Sequence, residues 1–375
     1  MVTAVQPRPR TAVALADVRL PSFRHFGPNW YATVMGTAIV ANAGVALPVD
    51  VPGLRTACAA VWVLSAVLLA LVLAARATHW IHHRDQARAH FVDPAIAPFY
   101  GCLSMALLAV GIGTLTVGQD IIGERAAVAA AAVLFGVGTL IGLSAAAVVP
   151  YLMVVRHLVT PGTASPVWLL PVVSPMVSAS LGPLLVPHLP AGPWREAMLF
   201  GSYAMFGISL LATLVILPMV FARLVHHGPL PLALTPALFL VLGPLGQSTT
   251  AVNRLADVAP AAISAPYATG LGTFAVIYGV PVMGFALMWL ALAGATVVRA
   301  AREGMPFTMT WWAFTFPVGT CVTGAEALAA HTGRAPFEWL AVGLFVLLVT
   351  AWAVTGVRTL RGLFSGALLA APVRR

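Results

Sequence analysis

The sequence predicts an all-α polytopic membrane protein, with ten transmembrane helices arranged as five parallel-repeat helical hairpins around a central pore. Three observations carry this prediction. The chain is 60% hydrophobic and 8% charged, whereas a soluble domain is about 45–50% apolar and about 25% charged. Apolar runs of about 20 residues, enough to cross a ~30 Å hydrocarbon core, recur from end to end. Every second run is also rich in proline, glycine and small polar residues.

Residues 1–28 read as a polar cytoplasmic tail. They contain Pro7, Pro9 and Pro21, and no apolar stretch long enough for a cleavable signal. The membrane domain follows over residues 29–358, and a second cytoplasmic tail over 359–375. Span 1, Asn29–Leu47, carries Thr33, Gly36, Thr37, Asn42 and Gly44. Span 3, Asp93–Gln119, opens on Pro94 and Pro98 and continues through Gly101, Ser104, Gly111, Gly113 and Thr114. Span 5, Val167–His188, holds Pro171, Ser174, Pro175, Ser178, Ser180 and Pro183. Span 7, Pro231–Asn253, reads GPLGQSTTAVN from Gly243, and span 9, Pro306–His331, reads WWAFTFPVGT from Trp311. The even spans are Leu54–Thr78, Gly123–Val155, Arg195–Leu224, Gly272–Arg299 and Glu338–Val357. They are blander, although the eighth contains Pro281.

A proline inside a helix removes a backbone hydrogen bond and bends the helix. Within a bilayer that is tolerated where protein or a water-filled cavity re-satisfies the backbone. Odd spans begin near residues 29, 94, 167, 231 and 306, so hairpins of common orientation follow one another like parallel repeats. The simplest arrangement is an inner ring of broken, small-residue helices inside an outer ring that faces lipid. The competing reading is close packing through small residues, which accounts for the glycines better than for the repeated mid-span prolines.

The charge of +9 comes from arginine and no lysine. Fifteen arginines flank the side that holds both termini: Arg8, Arg10, Arg19 and Arg24 before span 1, Arg76, Arg84 and Arg88 at the end of span 2, Arg156, Arg223, Arg299 and Arg302 after spans 4, 6 and 8, and Arg358, Arg361, Arg374 and Arg375 after span 10. Only Arg55, Arg125, Arg195, Arg254 and Arg334 lie on the other side. The positive-inside rule then puts both termini in the cytoplasm, in a plasma (inner) membrane. These arginines are spread along membrane edges and are not gathered into one basic patch, so no nucleic-acid partner is expected.

Cys58, Cys102 and Cys321 fall inside apolar spans at irregular spacing, which gives no disulfide framework. His79 and His83, four residues apart, could share a helix face with Asp85 or His90 folding back as a third ligand. A partly titrating loop end is the plainer reading. No metal and no cofactor is expected. Neither HExxH nor GxSxG occurs, and no enzymatic activity is expected.

Phe23–Gly44 (FRHFGPNWYATVMGTAIVANAG), His90–Gly101 (HFVDPAIAPFYG), Val241–Ser248 (VLGPLGQS) and Trp311–Pro317 (WWAFTFP) resemble the tellurite-resistance/dicarboxylate transporter family. That family includes slow-type anion channels and malate and sulfite permeases. The resemblance covers Phe23 to about Arg361. It implies five hairpins around an anion pathway, a homotrimer with one pathway per subunit, and a mid-membrane phenylalanine gate matching Phe316, with Phe314 as the alternative. Phe316 lies ten residues after Pro306; at 1.5 Å per residue that is about 15 Å, half of the hydrocarbon core.

The expected kink prolines are Pro317, Pro175 and Pro244. The lining candidates are Thr33, Thr37, Ser104, Ser174, Gln247 and Thr320, with Thr114, Ser178, Ser248 and Thr249 as further donors. An anion would be held weakly by such donors and by broken helix ends. Glu326 is a carboxylate within a span, a functional candidate by its cost. It is expected either to couple protons or to sit in an outer vestibule beside Arg334. The functions left open are passage of small inorganic or organic anions across a lipid bilayer and proton-coupled transport of malate-type C4-dicarboxylates or sulfite.

Overall fold

The computed structural model describes residues 23–369. Most of the expected N-terminal tail and the last six residues of the C-terminal one, with their arginines, lie outside the described residues. Among those described there is no strand. The α-helices are α1 (Tyr31–Gly44), α2 (Leu54–His82), α3 (Arg84–Val92), α4 (Tyr100–Gly113), α5 (Gln119–Ile122), α6 (Glu124–Val155), α7 (Leu169–Leu185), α8 (Pro193–His227), α9 (Leu242–Ala262), α10 (Tyr267–Arg302), α11 (Phe316–Thr332) and α12 (Ala335–Phe364). Eight helical stretches among the described residues are long and apolar enough to cross a membrane.

The two expected spans that fall short are the first and the ninth. In the first, a 3-10 turn at Pro28–Trp30 leads into α1, which has 14 residues. In the ninth, a 3-10 segment at Met309–Phe314 breaks at Thr315 before α11, which has 17. Proline placement explains this break. Pro317 is in the first turn of α11, where an N–H would have no helical acceptor in any case, so the missing donor costs nothing and the fixed φ favours a start. Pro244 likewise sits in the first turn of α9, after the 3-10 segment Leu232–Val241. Both therefore begin helices, where a bend within a continuous helix was expected. Pro175 lies inside α7.

Helix α1 packs on α4, α4 on α7, α7 on α9, α9 on α11 and α11 back on α1, so these contacts close on themselves. Each inner helix also packs on the long helix that follows it: α1 on α2, α4 on α6, α7 on α8, α9 on α10 and α11 on α12. Burial separates the two sets. The most apolar stretches of Leu54–His82, Glu124–Val155, Pro193–His227, Tyr267–Arg302 and Ala335–Phe364 are 22–28% buried, whereas those of Ala97–Ile122 and Pro166–His188 are 89% and 94% buried. Prolines separate them less well, because Pro150, Pro218 and Pro281 all lie inside outer helices.

Close approach within the inner set depends on missing side chains. A Cβ on Gly101 would stand 2.3 Å from the Leu170 carbonyl oxygen, and one on Gly246 2.4 Å from the Cys321 backbone nitrogen. Inner and outer helices are joined by buried polar bonds to backbone. Ser104 Oγ donates to Gly138 O at 2.7 Å, Ser209 Oγ to Val172 O at 2.6 Å and Trp289 Nε1 to Leu238 O at 2.9 Å. Each hydroxyl or indole thus gains a partner in a setting where an unpaired polar group costs several kcal/mol.

Candidate anion pathway

Helices of a closed ring bring their inward faces together at the centre, and two small cavities lie there, each of about 10 Å³, room for about one water. The first is lined by Ile39 and Asn42 of α1, Ala109 and Ile112 of α4, Val177 of α7, Gln247, Thr250 and Arg254 of α9, and Phe316 and Thr323 of α11. The second is lined by Met35, Met105, Leu169, Leu170, Val173, Leu240, Gly243, Phe316 and Pro317. Residues from all five inner segments reach each one. Phe316, only 2% exposed, is the one described residue common to both linings.

The two cavities differ in chemistry. The second is apolar throughout, a surface from which water withdraws readily in a narrow space. The first carries an amide from each of α1 and α9, two threonines and Arg254. Gln247, Thr250 and Arg254 share a face of α9 because they are spaced i, i+3, i+7. The Gln247 amide donates from Nε2 to Ser180 Oγ at 2.7 Å, and Arg254 from Nη1 to Ser180 O at 3.0 Å. Thr250 and Thr323 bond to each other through their hydroxyls at 2.7 Å.

Of the six lining candidates read from the sequence, Gln247 lines the polar cavity. The others turn to backbone or neighbouring helices. Thr33 donates to Trp30 O, and Thr37 donates to Thr33 O while accepting from Trp352 Nε1. Ser104 donates to Gly138 O, and Ser174 to Gly101 O and Leu170 O. Thr320 donates to Pro317 O at 2.7 Å and approaches the carbonyls of Leu242 and Gly243. Phe314, the alternative gate, packs edge-on against Phe239 and Trp311 and lines neither cavity.

Glu326 is buried on α11, and its Oε1 has no hydrogen-bond partner. The opposite charge that acts on it is Arg254, not Arg334 as expected. Gly333 ends α11 at φ 62° and turns the chain away before Arg334. Toward the same helix ends, His331 Nε2 pairs with Asp257 Oδ1 at 2.6 Å.

Arg254 is the residue that the sequence reading missed. Ending span 7 at Asn253 assigned Arg254 to a loop, but α9 continues to Ala262. The polar spacing of Gln247, Thr250 and Arg254 was the available signal.

The histidine-rich turn has a structural role. Arg76, buried, donates to Phe26 O at 2.6 Å and approaches His79 Nδ1 at 3.2 Å, while His79 stacks on His90 with centroids 5.4 Å apart. Among the described residues no group of three metal-ligating side chains comes together.

The voltage-dependent anion channel family profile matches residues 25–360 of the chain. The chain belongs to that family. Its relatives lie far off in sequence but run nearly full length. An uncharacterized transporter of Methanocaldococcus jannaschii is 26% identical over 351 residues, covering 93% of this chain and 97% of its own. A second uncharacterized transporter of the same organism is 25% identical over 347 residues, covering 92% and 97%. A sulfite efflux pump of Trichophyton rubrum is 26% identical over 339 residues, 88% of each chain. Members of the voltage-dependent anion channel family are transporters and channels, and this chain is an integral membrane protein of the anion-transport class.

Proposed function

We propose that the chain conducts small anions through the centre of its inner helix ring, with Phe316 as the gate. The observation that carries the reading is the position of the Phe316 ring between two cavities lined from all five inner segments. A buried aromatic ring there blocks a narrow path sterically, and the apolar side reinforces the block by dewetting. The short first and ninth helices count as crossings together with their 3-10 extensions, giving ten crossings in five hairpins. Arginine placement favours cytoplasmic termini in the plasma (inner) membrane, and the resemblance implies a homotrimer with one pathway per subunit. Similarity to a sulfite efflux pump favours a small oxyanion as cargo.

A second reading rests on Glu326, whose buried, unpartnered carboxylate oxygen is suited to exchanging a proton. It makes the protein a proton-coupled transporter of sulfite or a C4-dicarboxylate such as malate. Purified protein in sealed vesicles separates the two. Under the conduction reading a membrane potential alone drives anion flux and reverses it, and a pH gradient alone accumulates nothing. Uphill accumulation on a pH gradient, abolished in Glu326→Gln, would replace conduction with coupling.

A further inference from the structure

Two grooves of similar size flank the carboxyl-terminal end of α8, and they differ in whether their cations are paired. The first, of about 430 Å³, includes Arg299, which Glu303 holds at 2.9 Å. The second, of about 420 Å³, lies between α8 and the chain that leads from α6 into α7. Its polar end carries Arg223, His226, His227 and Thr160. Among the described residues no carboxylate lies within ion-pair distance of these three basic side chains. Arg223 donates from Nε to Gly162 O at 3.3 Å and from Nη1 to Gly228 O. Two loops thus hold the guanidinium in place, and its Nη2 has no acceptor among the described residues.

The rest of the second groove is apolar, and the two parts are ordered along the helix. Met219, Ala222, Arg223, His226 and His227 follow one another at i, i+3, i+4, i+7 and i+8, which is one face of α8. That face changes from apolar to basic toward the helix end. Val159 and Trp168 continue the apolar part on the facing chain, and Leu158 beside them is 95% exposed. Depth fits this order. Helix α8 has 35 residues, about 52 Å at 1.5 Å per residue, against a hydrocarbon core of about 30 Å. Its last two turns therefore stand at the level of lipid headgroups, with Met219 just below. The groove is also roomy, roughly thirty times the ~10–15 Å³ that one water needs.

Unpaired cations at headgroup depth above an apolar trough match a lipid with a net negative headgroup. We propose that this groove binds one anionic phospholipid. Its phosphate lies against Arg223, His226 and His227, and the first part of an acyl chain runs along Met219, Ala222 and Trp168. Under the orientation proposed above, that lipid belongs to the cytoplasmic leaflet. The carbonyl end of α8 by itself disfavours an anion, and the guanidinium, shared between the Gly228 carbonyl and the groove, offsets it. The neighbouring groove has nearly the same volume but a neutralised arginine, so charge and not size sets the preference.

The probes are phosphatidylglycerol, phosphatidylcholine, diacylglycerol and inorganic phosphate, each added to delipidated full-length protein in mild detergent. Native mass spectrometry counts bound lipid, and the thermal unfolding midpoint is read alongside. Neither readout depends on the orientation in the membrane or on anion conduction. Phosphatidylglycerol is expected to occupy one tight site per chain and to raise the midpoint. Phosphatidylcholine and diacylglycerol, which lack the net charge, should bind roughly 5-fold more weakly or worse. Arg223→Gln should weaken phosphatidylglycerol roughly 10-fold, the loss of a hydrogen bond to a charged group. Because Arg223 also ties two loops, the double variant His226→Ala, His227→Ala serves beside it. Both side chains are exposed, so the lipid-free midpoint should stay unchanged while phosphatidylglycerol weakens roughly 3–10-fold. Ala222→Trp keeps every charge but fills the trough and should abolish the tight site, whereas Arg299→Gln should leave it intact. Equal affinity for phosphatidylglycerol and diacylglycerol overturns the proposal, as does displacement of the lipid by inorganic phosphate at equal concentration. So does tight binding that survives both the double variant and Ala222→Trp. A change of oligomeric mass in Ala222→Trp with lipid retention unaltered would show that a second copy of the chain, and not a lipid, covers this face.

Discussion

Replacing Gly246 by alanine tests the closeness of the inner ring. The new Cβ would lie 2.4 Å from both the Cys321 nitrogen and the Thr320 carbonyl carbon, where ordinary contact begins near 3.4 Å. The clashing atoms are backbone, so no side chain can swing away, and α9 and α11 must part by about 1 Å where they touch. Insertions of this size into a packed interior cost about 1–3 kcal/mol. The separation would also stretch the bonds from Thr320 Oγ1 to the Leu242 and Gly243 carbonyls, already 3.4 and 3.3 Å long. The same substitution on an outer helix has the opposite sign. A Cβ added at Gly136 or Gly201 would meet nothing within 4 Å, so alanine there gains about 0.5–1 kcal/mol of helix propensity. The assay is the thermal unfolding midpoint of detergent-solubilised protein, read alongside monodispersity. Gly246→Ala should lower the midpoint, and Gly136→Ala should leave it unchanged or raise it. A Gly246→Ala protein as stable as the Gly136→Ala protein would refute the close contact of α9 with α11.

Burial and the neighbouring charges of Arg76 and His79 hold the His90 imidazole down at about 4, against an ordinary value of about 6.5. Because the unfolded chain takes up the proton first, the stability linked to His90 is complete above about 6.5 and declines as pH falls toward 4. Amide protection in the segment Phe23–Trp30, which Arg76 holds, taken relative to the intrinsic exchange rate at each pH, should be constant between neutral and mildly alkaline pH and fall on acidification; protection that rises on acidification would contradict this. Trp289→Phe removes the donor to the buried Leu238 carbonyl and should cost about 1–3 kcal/mol in the same thermal assay. Glu326→Gln removes the carboxylate that acts on Arg254 and should lower the anion concentration for half-maximal flux, whereas a rise would show that Glu326 assists anion entry.

The outer helices were legible because lipid is a uniform solvent that asks only for length and apolarity. Leu54–Thr78 and Glu338–Val357 both fall inside the helices found, α2 (Leu54–His82) and α12 (Ala335–Phe364), with the carboxyl-terminal ends extending further. The inner helices follow local rules that hydropathy does not report. Pro244 and Pro317 mark helix starts, and nothing in their neighbourhood distinguishes a start from a bend until the preceding 3-10 segments are visible. Among the lining candidates, residue type alone does not tell which side chain reaches the centre. Thr33 and Ser174 donate to the nearest carbonyl. Gln247 lines the polar cavity with Arg254, Thr250 and Thr323. Arg254 was hidden by a hydropathy boundary drawn where the polar face of α9 begins to dominate its composition.

The central claim is that the Phe316 ring closes a path between the two cavities, and anion current across a planar bilayer tests it most directly. Replacing the ring by a methyl group joins the spaces on either side, so Phe316→Ala should conduct far more strongly than the unmodified protein at the same membrane potential and protein density. Equal currents from the two proteins, with Phe316→Ala folded and inserted, would contradict the account.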